Sequence, residues 1–571
     1  MTNKEIGKIF TQIADILELG NEQDRFRVIA YQRAAQAIEN HSEEMKTVYQ
    51  KGGLKALEEV PGVGKSLAEK IEEILKTGKL KYLKDIQKKV PSSEIEFLKI
   101  PGIGPKTAVK IAEKLKAKNI KDLEKKLKTG KGDILFEPKT QANILRGINI
   151  LKRSTGRMLI SEALPIAEDF LGQIKKIKGV KRVDYVGSLR RMKETIGDID
   201  IVAASSRPLE LIENFVKFSG VSQIISKGEA KSTVIHQSGA QIDLEIVPEN
   251  EYGSLLQHFT GSKEHNVALR TFAQSKGRSL SEHGIKVGKK QYKFSQEKGY
   301  YEFLKMAWIP PELREDRGEI EAALRHQLPD LIIIDDIKGD LHVHSNWSDG
   351  FITIEEIAQK AEILGYEYIV VSDHTVGLGI AGGLDEKELA QREKEIQKVQ
   401  KKHPRLKILS SVEVNIKANG DLDIKDWMLK KLDIVTASIH TSFFQDKKTM
   451  TKRLIGAIDH KDVDIIGHPS GRIIGQREPY QVDWDSVFRA AAKNQTALEI
   501  SAFPNRLDLS DILCHQAKSL GVKFAISTDS HQLKHLDLMN FGVAVARRGW
   551  LEKKDIINTR NLNDLLSWSK R

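Results

Sequence analysis

The hydrophobic rhythm of the chain changes twice along its length. Over residues 1–150 apolar positions recur at helical spacing between lysines, which predicts a run of amphipathic helices. Near residue 183 the period shortens to two. An apolar run from Val183 to Val186 breaks at Gly187-Ser188, a basic helical patch follows (Leu189, Arg190, Arg191), and Gly197 turns the chain into Asp198-Ile199-Asp200-Ile201-Val202. This reads as strand, tight turn, helix start, strand. A second alternating segment, Gln241-Ile242-Asp243-Leu244-Glu245-Ile246-Val247, is predicted to lie beside it. From Asp340 onward short apolar runs alternate with helical stretches, the pattern of a barrel whose strands are separated by helices.

The alternation has a chemical consequence. Side chains two apart on a strand share a face, so Asp198 and Asp200 present two carboxylates together while Ile199 and Ile201 enter the core. Asp243 is the expected third ligand. Three hard oxygen donors suit Mg2+, which completes its shell with water and substrate phosphate. Gly187 and Ser188, at a helix start followed by Arg190 and Arg191, offer backbone N–H groups, a hydroxyl and positive charge to those phosphates. Two ions about 3.5 to 4 Å apart would activate a 3'-hydroxyl and stabilise leaving pyrophosphate. A lone Asp-x-Asp is more often a solvated strand; the Gly-Ser before it and the strand aspartate after it favour a site.

The helical portion contains a repeat. Val60-Pro61-Gly62-Val63-Gly64-Lys65 and Ile100-Pro101-Gly102-Ile103-Gly104-Pro105-Lys106 share apolar and glycine spacing, and each precedes an apolar helix bearing lysines. Such turns look like helix-hairpin-helix motifs, in which glycines allow backbone N–H groups to face a phosphate and lysines add sequence-independent charge. Gly62, Gly64, Lys65, Gly102, Gly104 and Lys106 are therefore candidate DNA contacts.

In the C-terminal third each apolar run ends in a ligand-type residue. His342, His344 and Asp349 follow the first, His374 the second, Glu413 lies in the third, and His440 and His468 close the next two. Asp529 and His531 follow the last. Nine such residues at one end of successive strands exceed what core packing explains. Imidazole and carboxylate without thiolate favour Mn2+, Fe2+ or Zn2+, and the number of donors accommodates three ions. His403, His460, His515 and His535 fall in helical or loop contexts and are read as structural.

Composition narrows the partners. The 571 residues carry a net charge of +12 and predict three or four domains, with nucleic acid as the leading partner. The single cysteine, Cys514, excludes a disulfide framework and is read as buried. Met1 to Leu17 is charged and amphipathic, and no apolar run approaches the ~18 residues of a membrane span, so a cytoplasmic location and no membrane partner are expected.

The Gly-Ser and Asp-x-Asp pattern with its later strand aspartate resembles the nucleotidyltransferase palm, and in detail the X family of DNA polymerases, to which DNA polymerase beta belongs. The His-x-His, Asp-His, Glu, His, Gly-His-Pro and Thr-Asp-Ser-His series is similar to the PHP phosphoesterases, and all nine ligand positions of that family are present. The order matches bacterial and archaeal X-family polymerases with a C-terminal PHP domain. The resemblance implies a multidomain α/β chain: a lyase-like helical domain with the first hairpin (1–85), fingers with the second (86–150), an α+β palm (151–250), a thumb (251–315), a linker (316–335) and a distorted TIM-like (β/α)7 PHP barrel (336–571).

It also implies roles. Arg191 would touch the β-phosphate, with Ser188 and Gly187 on the γ-phosphate; Phe259 and Gly261 would line the sugar, Asn266 would reach the base edge and Arg270 the templating strand. His258 stands where many relatives have tyrosine, and Ser501 where relatives tend to carry asparagine. Lys70 matches the lysine that forms a Schiff base with an abasic sugar, with Tyr31 and Arg27 near a 5'-phosphate; a solvated, phosphate-gripping Lys70 is the alternative. Arg472 and Arg506 are candidate phosphate clamps. The implied activity is template-directed gap filling on gapped or nicked DNA bearing a 5'-phosphate, using deoxynucleoside triphosphates, with a 3'-5' exonuclease and abasic-site incision in the PHP domain. The chain is expected to be a monomer. The rivals are a terminal transferase with an unrelated phosphatase, a DNA-binding scaffold with inactive domains, and a histidinol-phosphate phosphatase.

Overall fold

The computed structural model describes residues 1, 3–20, 25–39, 41, 43–60, 62–100, 103–129, 135–154, 157–377 and 381–569. The N-terminal helices form two small cores. Asn3–Gly20, Arg25–Glu39, Met45–Glu58 and Lys65–Thr77 enclose Ile6, Phe10, Ile13, Ile71 and Ile74, while Pro105–Glu113, Ile120–Lys128 and Pro138–Ser154 enclose Phe97, Ile111, Leu123 and Ile148. Helix Lys65–Thr77 starts after Gly64 and buries Ala68, Ile71 and Ile74, a spacing of three that puts them on one face. Gly78, at φ 68°, ends it by donating its N–H to the Ile74 carbonyl.

The middle of the chain holds a five-stranded mixed sheet in the order Val180–Tyr185, Ile199–Ser205, Gln241–Val247, Lys231–His236, Val221–Lys227. Ile199–Ser205 and Gln241–Val247 run parallel in the centre, and Asp200 pairs with Asp243 in register. Helix Ile160–Lys175 covers one face, burying Ala163, Ala167, Phe170 and Ile174. Beyond it, helix Tyr252–Thr260 packs Tyr252, Leu255 and Leu256 on Val202, Ala204 and Val247 of the sheet, while helix Lys263–Ser275, a three-stranded meander and helix Glu297–Phe303 form a separate core around Leu269, Tyr300 and Tyr301.

The C-terminal region is a barrel of seven parallel strands taken in chain order, from Gly339–Val343 to Phe524–Ser527. A bridge from Val343 to Ser530 brings the last strand back to the first. The stretch expected as a linker (316–335) is packed rather than slack. Its helix Glu319–Leu324 buries Glu319, Ile320 and Ala323, and Ile332 donates its N–H to the Leu551 carbonyl at 3.2 Å. No helix among the described residues is long and apolar enough to cross a membrane.

Candidate active sites

The first site lies at the centre of the mixed sheet. Parallel pairing of Ile199–Ser205 with Gln241–Val247 sets Asp200 beside Asp243, and with Asp198 they place carboxylate oxygens within 4.8 Å of one another. Burial, with Asp198 and Asp243 adjacent, pushes the Asp200 carboxyl up to about 7. A trio of acids held this close fits a divalent cation, which relieves the repulsion that otherwise retains a proton. Asp243 is oriented from outside the site by the Thr233 hydroxyl and by Gln241 Nε2 at 2.7 Å. Neither orienting residue was read from the sequence; the signal was a polar residue two positions before Asp243 and another opposite it on the neighbouring strand.

Gly187 shows why that position carries no side chain. Its φ is +62°, and a Cβ there would sit 2.5 Å from Asp200 Oδ2. The turn ends in Arg191, whose guanidinium donates to the Thr260 carbonyl and lies over Gly261, where a Cβ would approach it to 3.0 Å. Gly187 thus borders Asp200 directly, Arg191 lies near enough to favour the charged form of that carboxyl, with Gly261 against the guanidinium, and Phe259 lines the same hollow as Asp200, Lys231 and Asp243. Asn266 is occupied by protein partners, accepting from Gln257 Nε2 at 2.9 Å and donating to the His258 carbonyl at 2.7 Å. Arg270 is exposed, with Nη2 3.5 Å from His258 Nδ1. Burial lowers the pKa of His258.

At the N-terminal module the two hairpins have the same internal bonding: Val63 N–H to the Val60 carbonyl at 2.9 Å, and Ile103 N–H to the Ile100 carbonyl at 3.0 Å. Val63 and Ile103 are buried, and Gly64, Lys65, Gly104 and Lys106 face solvent, as does Gly62. Gly102 lies outside the described residues. Lys70 donates to the Ser66 hydroxyl at 2.8 Å and carbonyl at 3.0 Å and sits over the Tyr82 ring; burial lowers its pKa. Arg27 donates to the Tyr82 hydroxyl. Tyr31 is only 4% exposed, edge-on to Phe10 and stacked on Tyr82, a packing position rather than a surface grip.

The second site occupies the C-terminal mouth of the barrel. Three interlocking groups bring ligand atoms within 4.8 Å of one another: His344, Asp349, His374 and His531; His342, His344 and Asp529; and His374, Glu413 and His440. His468 joins through Glu413, at 3.0 Å. Glu413 is the hub, with His374 at 3.0 Å, His440 at 3.2 Å and His342 at 3.5 Å from its oxygens. Burial, with His531 and His374 beside it, lowers His344 to about 4, so its ring is neutral and able to donate a lone pair. The buried Nδ1 of His344 has no hydrogen-bond partner. An orphaned imidazole nitrogen facing carboxylates fits a metal ion. His468 and Asp529 hold positive φ of 27° and 53°, a left-handed backbone that costs a non-glycine residue energy and recurs at functional positions.

Several supporting residues were not foreseen. Glu499 accepts from His342 Nδ1 at 2.8 Å and from the His468 N–H at 2.6 Å, fixing two ligands at once. Asp373 accepts from the Ser345 N–H and hydroxyl, each at 2.8 Å, and pairs with buried Arg392. Both are carboxylates inside apolar strands or at their ends. The expectation for Arg472 is corrected: its guanidinium pairs with Glu194 at 2.8 Å and donates to the Arg506 carbonyl, so it is committed to protein partners. Arg506 does face the site, 3.9 Å from Asp529. Ser501 is buried in its strand. His403 pairs with Glu362 and Glu355, whereas His535 borders the site, 3.3 Å from the His531 N–H. His515 packs against Trp550, and His460 adjoins Asp426 and Asp462 near the surface.

The separate pieces match known families. Residues 1–80 match a helix-hairpin-helix domain, 94–129 a SAM-like helix-hairpin-helix tandem, 255–315 the DNA polymerase beta thumb and 340–502 the PHP domain. The DNA polymerase/3'-5' exonuclease PolX of Bacillus subtilis (strain 168) is 35% identical over the whole of both chains. The chain belongs to the X-family DNA polymerases that carry a C-terminal PHP domain. For this PHP-bearing X-family member, dependence on divalent cations follows from both kinds of domain. A probable phosphatase of Thermoanaerobacter sp. (strain X514) is 31% identical over 38% of the chain and 89% of its own length. A probable phosphatase of Escherichia coli O81 (strain ED1a) is 30% identical over 35% of the chain and 86% of its own length.

Proposed function

We propose that this chain is a template-directed DNA polymerase that fills short gaps in DNA repair and trims primer 3' ends in its barrel. The observation that carries the reading is the presence, in one chain, of two separate ligand clusters: three carboxylates on paired strands and nine histidines and carboxylates at a barrel mouth. Its domains are a lyase-like module (1–85), fingers (86–150), a palm (151–250), a thumb (251–315), a linker (316–335) and the barrel (336–571). The DNA is a gapped or nicked duplex bearing a 5'-phosphate, the substrates are deoxynucleoside triphosphates, and the protein works as a cytoplasmic monomer.

Asp198, Asp200 and Asp243 would hold Mg2+, which when bound supplies Lewis acidity toward the 3'-hydroxyl and the departing pyrophosphate. The chain's own groups do the positioning. Gly187 lets the turn approach the triphosphate, Ser188 and the adjacent N–H groups receive the γ-phosphate, and Arg191 the β-phosphate. Phe259 and Gly261 pack on the sugar. Asn266 exchanges Gln257 and the His258 carbonyl for the base edge, and Arg270 leans on the template strand. Gly62, Gly64, Lys65, Gly102, Gly104 and Lys106 grip backbone phosphates on either side of the gap.

In the barrel, His342, His344, Asp349, His374, Glu413, His440, His468, Asp529 and His531 would hold three ions, Mn2+, Zn2+ or Fe2+, which supply Lewis acidity and an activated water for phosphodiester cleavage. Arg506 faces the scissile phosphate. The same centre incises at abasic sites. Lys70, whose pKa burial lowers, is the residue that would form the Schiff base with an abasic sugar.

The test uses a labelled primer on a short gapped duplex with a 5'-phosphate, in magnesium or manganese, with and without deoxynucleotides. Loss of extension alone in an Asp198→Ala/Asp200→Ala protein, and of shortening alone in His344→Ala, is the expected result. Shortening that persists in His344→Ala overturns the nuclease assignment. The similarity to two probable phosphatases then makes a small phosphomonoester the substrate to try in the barrel.

A further inference from the structure

The palm turn that follows Gly187 is held from outside the palm. Arg548, the last residue of helix Met539–Arg548 in the barrel region, is 3% exposed. Its Nη1 donates to the Arg191 carbonyl at 2.8 Å and to Glu315 Oε1 at 3.0 Å, and its Nη2 donates to Asp511 Oδ2 at 2.7 Å. Glu315 Oε1 is also the acceptor of Arg191 Nε, at 3.0 Å. One carboxylate oxygen is therefore shared by the palm arginine and the barrel arginine. Arg317 completes the group through Asp511 at 3.1 Å. A second strut, Glu194 to Arg472, joins the same turn to the barrel at 2.8 Å.

We propose that Arg548 is a positioning residue for the triphosphate pocket of the palm, setting both the place of Arg191 and the strength of its tie to Glu315. The proposal rests on the reading of Arg191 as a phosphate ligand. Its first half is geometric: the bond to the Arg191 carbonyl fixes the backbone from which that guanidinium projects. Its second half is electrostatic. Three guanidiniums (Arg191, Arg317, Arg548), with the Lys193 ammonium beside them, meet two carboxylates (Glu315, Asp511), so positive charge is in excess at the turn. Arg548 shares the charge of Glu315 and weakens its hold on Arg191, leaving that arginine free to turn to an incoming phosphate. Without Arg548 the excess falls by one charge, Glu315 pairs more tightly with Arg191, and the arginine is drawn away from the nucleotide. The polymerase pocket is thus completed by a side chain from the domain that carries the other activity.

The test is steady-state extension of a gapped primer by the full-length protein as wild type, Arg191→Ala, Arg548→Ala, Arg548→Lys and the Arg191→Ala/Arg548→Ala double variant. Nuclease activity on a single-stranded 3' end is read on the same preparations. The expected result is a rise of about tenfold in the deoxynucleotide KM of Arg548→Ala, with kcat and nuclease within about twofold of wild type. Arg548→Lys keeps the charge without the fork and is expected at about threefold. The double variant is expected to be no worse than Arg191→Ala, because the barrel arginine acts through the palm arginine. A raised KM in Arg191→Ala beside an unchanged KM in Arg548→Ala overturns the proposal and leaves the Arg191 assignment standing. An unchanged KM in Arg191→Ala removes that assignment and the proposal with it. Where Arg548→Ala loses nuclease as well, it has failed to fold, and Arg548→Lys decides by the same criteria.

Discussion

Asp200 makes the palm sensitive to pH in a defined direction. Burial and its two acidic neighbours raise its pKa from the ordinary 3.8 to about 7. The folded chain therefore keeps a proton that the unfolded chain releases near pH 4, and this group's contribution to stability, full below that pH, is lost as pH rises through 7. A cation at the trio displaces the proton, so its affinity climbs over the same window. The part of a magnesium-induced rise in Tm that Asp200→Asn abolishes is expected to be larger at about pH 8 than at about pH 5.5, by thermal unfolding. In the barrel, Glu499→Gln is expected to weaken metal binding about 10- to 100-fold, read by manganese titration of the nuclease and by metal content, with extension unchanged. The two residues differ in how visible they are in the sequence. Asp200 stands out because strand alternation gives its face away. Glu499 sits in a strand buried on both faces, where no alternation marks it, and its role appears only when Ala497–Ser501 is laid between the strands ending at His468 and Asp529.

At the scale of elements, helix Glu297–Phe303 is fastened to the palm helix Gly187–Arg190 by one buried carboxylate. Glu297 accepts from Arg190 at 2.9 Å and from Arg314 at 2.6 Å, and Arg314 is fully buried. Despite burial, these arginines hold the Glu297 carboxyl well below its usual range, so its contribution is full above the ordinary glutamate pKa of 4.5 and is lost progressively as pH falls from there toward the lowered value. Glu297→Ala leaves two arginines without their carboxylate and is expected to cost about 3–5 kcal/mol in urea unfolding. Such a knot is hard to read in advance, because residues 310–318 have the charge and proline content of a linker while their arginine turns inward. The hairpin repeat and the barrel were legible for the opposite reason: each is a local pattern restated, twice in one case and seven times in the other.

For the whole molecule, the surplus of +12 is directed at a polyanion, and the two hairpins present Lys65 and Lys106 to solvent. Lys65→Ala/Lys106→Ala is expected to weaken binding to gapped DNA uniformly across sequences, and to flatten the dependence of log affinity on log salt by about 2, measured by fluorescence anisotropy. The order of domains could be read from the chain, whereas their mutual placement could not: Arg191 and Arg548 are 357 positions apart and meet only in the fold. The packed connector between thumb and barrel bears on how the two activities share a substrate. Because Ile320, Ala323 and Ile332 are embedded, the polymerase and the barrel form one fixed frame rather than two bodies on a leash. On the proposed reading, a primer end leaving the palm for the barrel supplies the slack itself, by fraying from its template, and an end that is already mispaired is expected to make the crossing first.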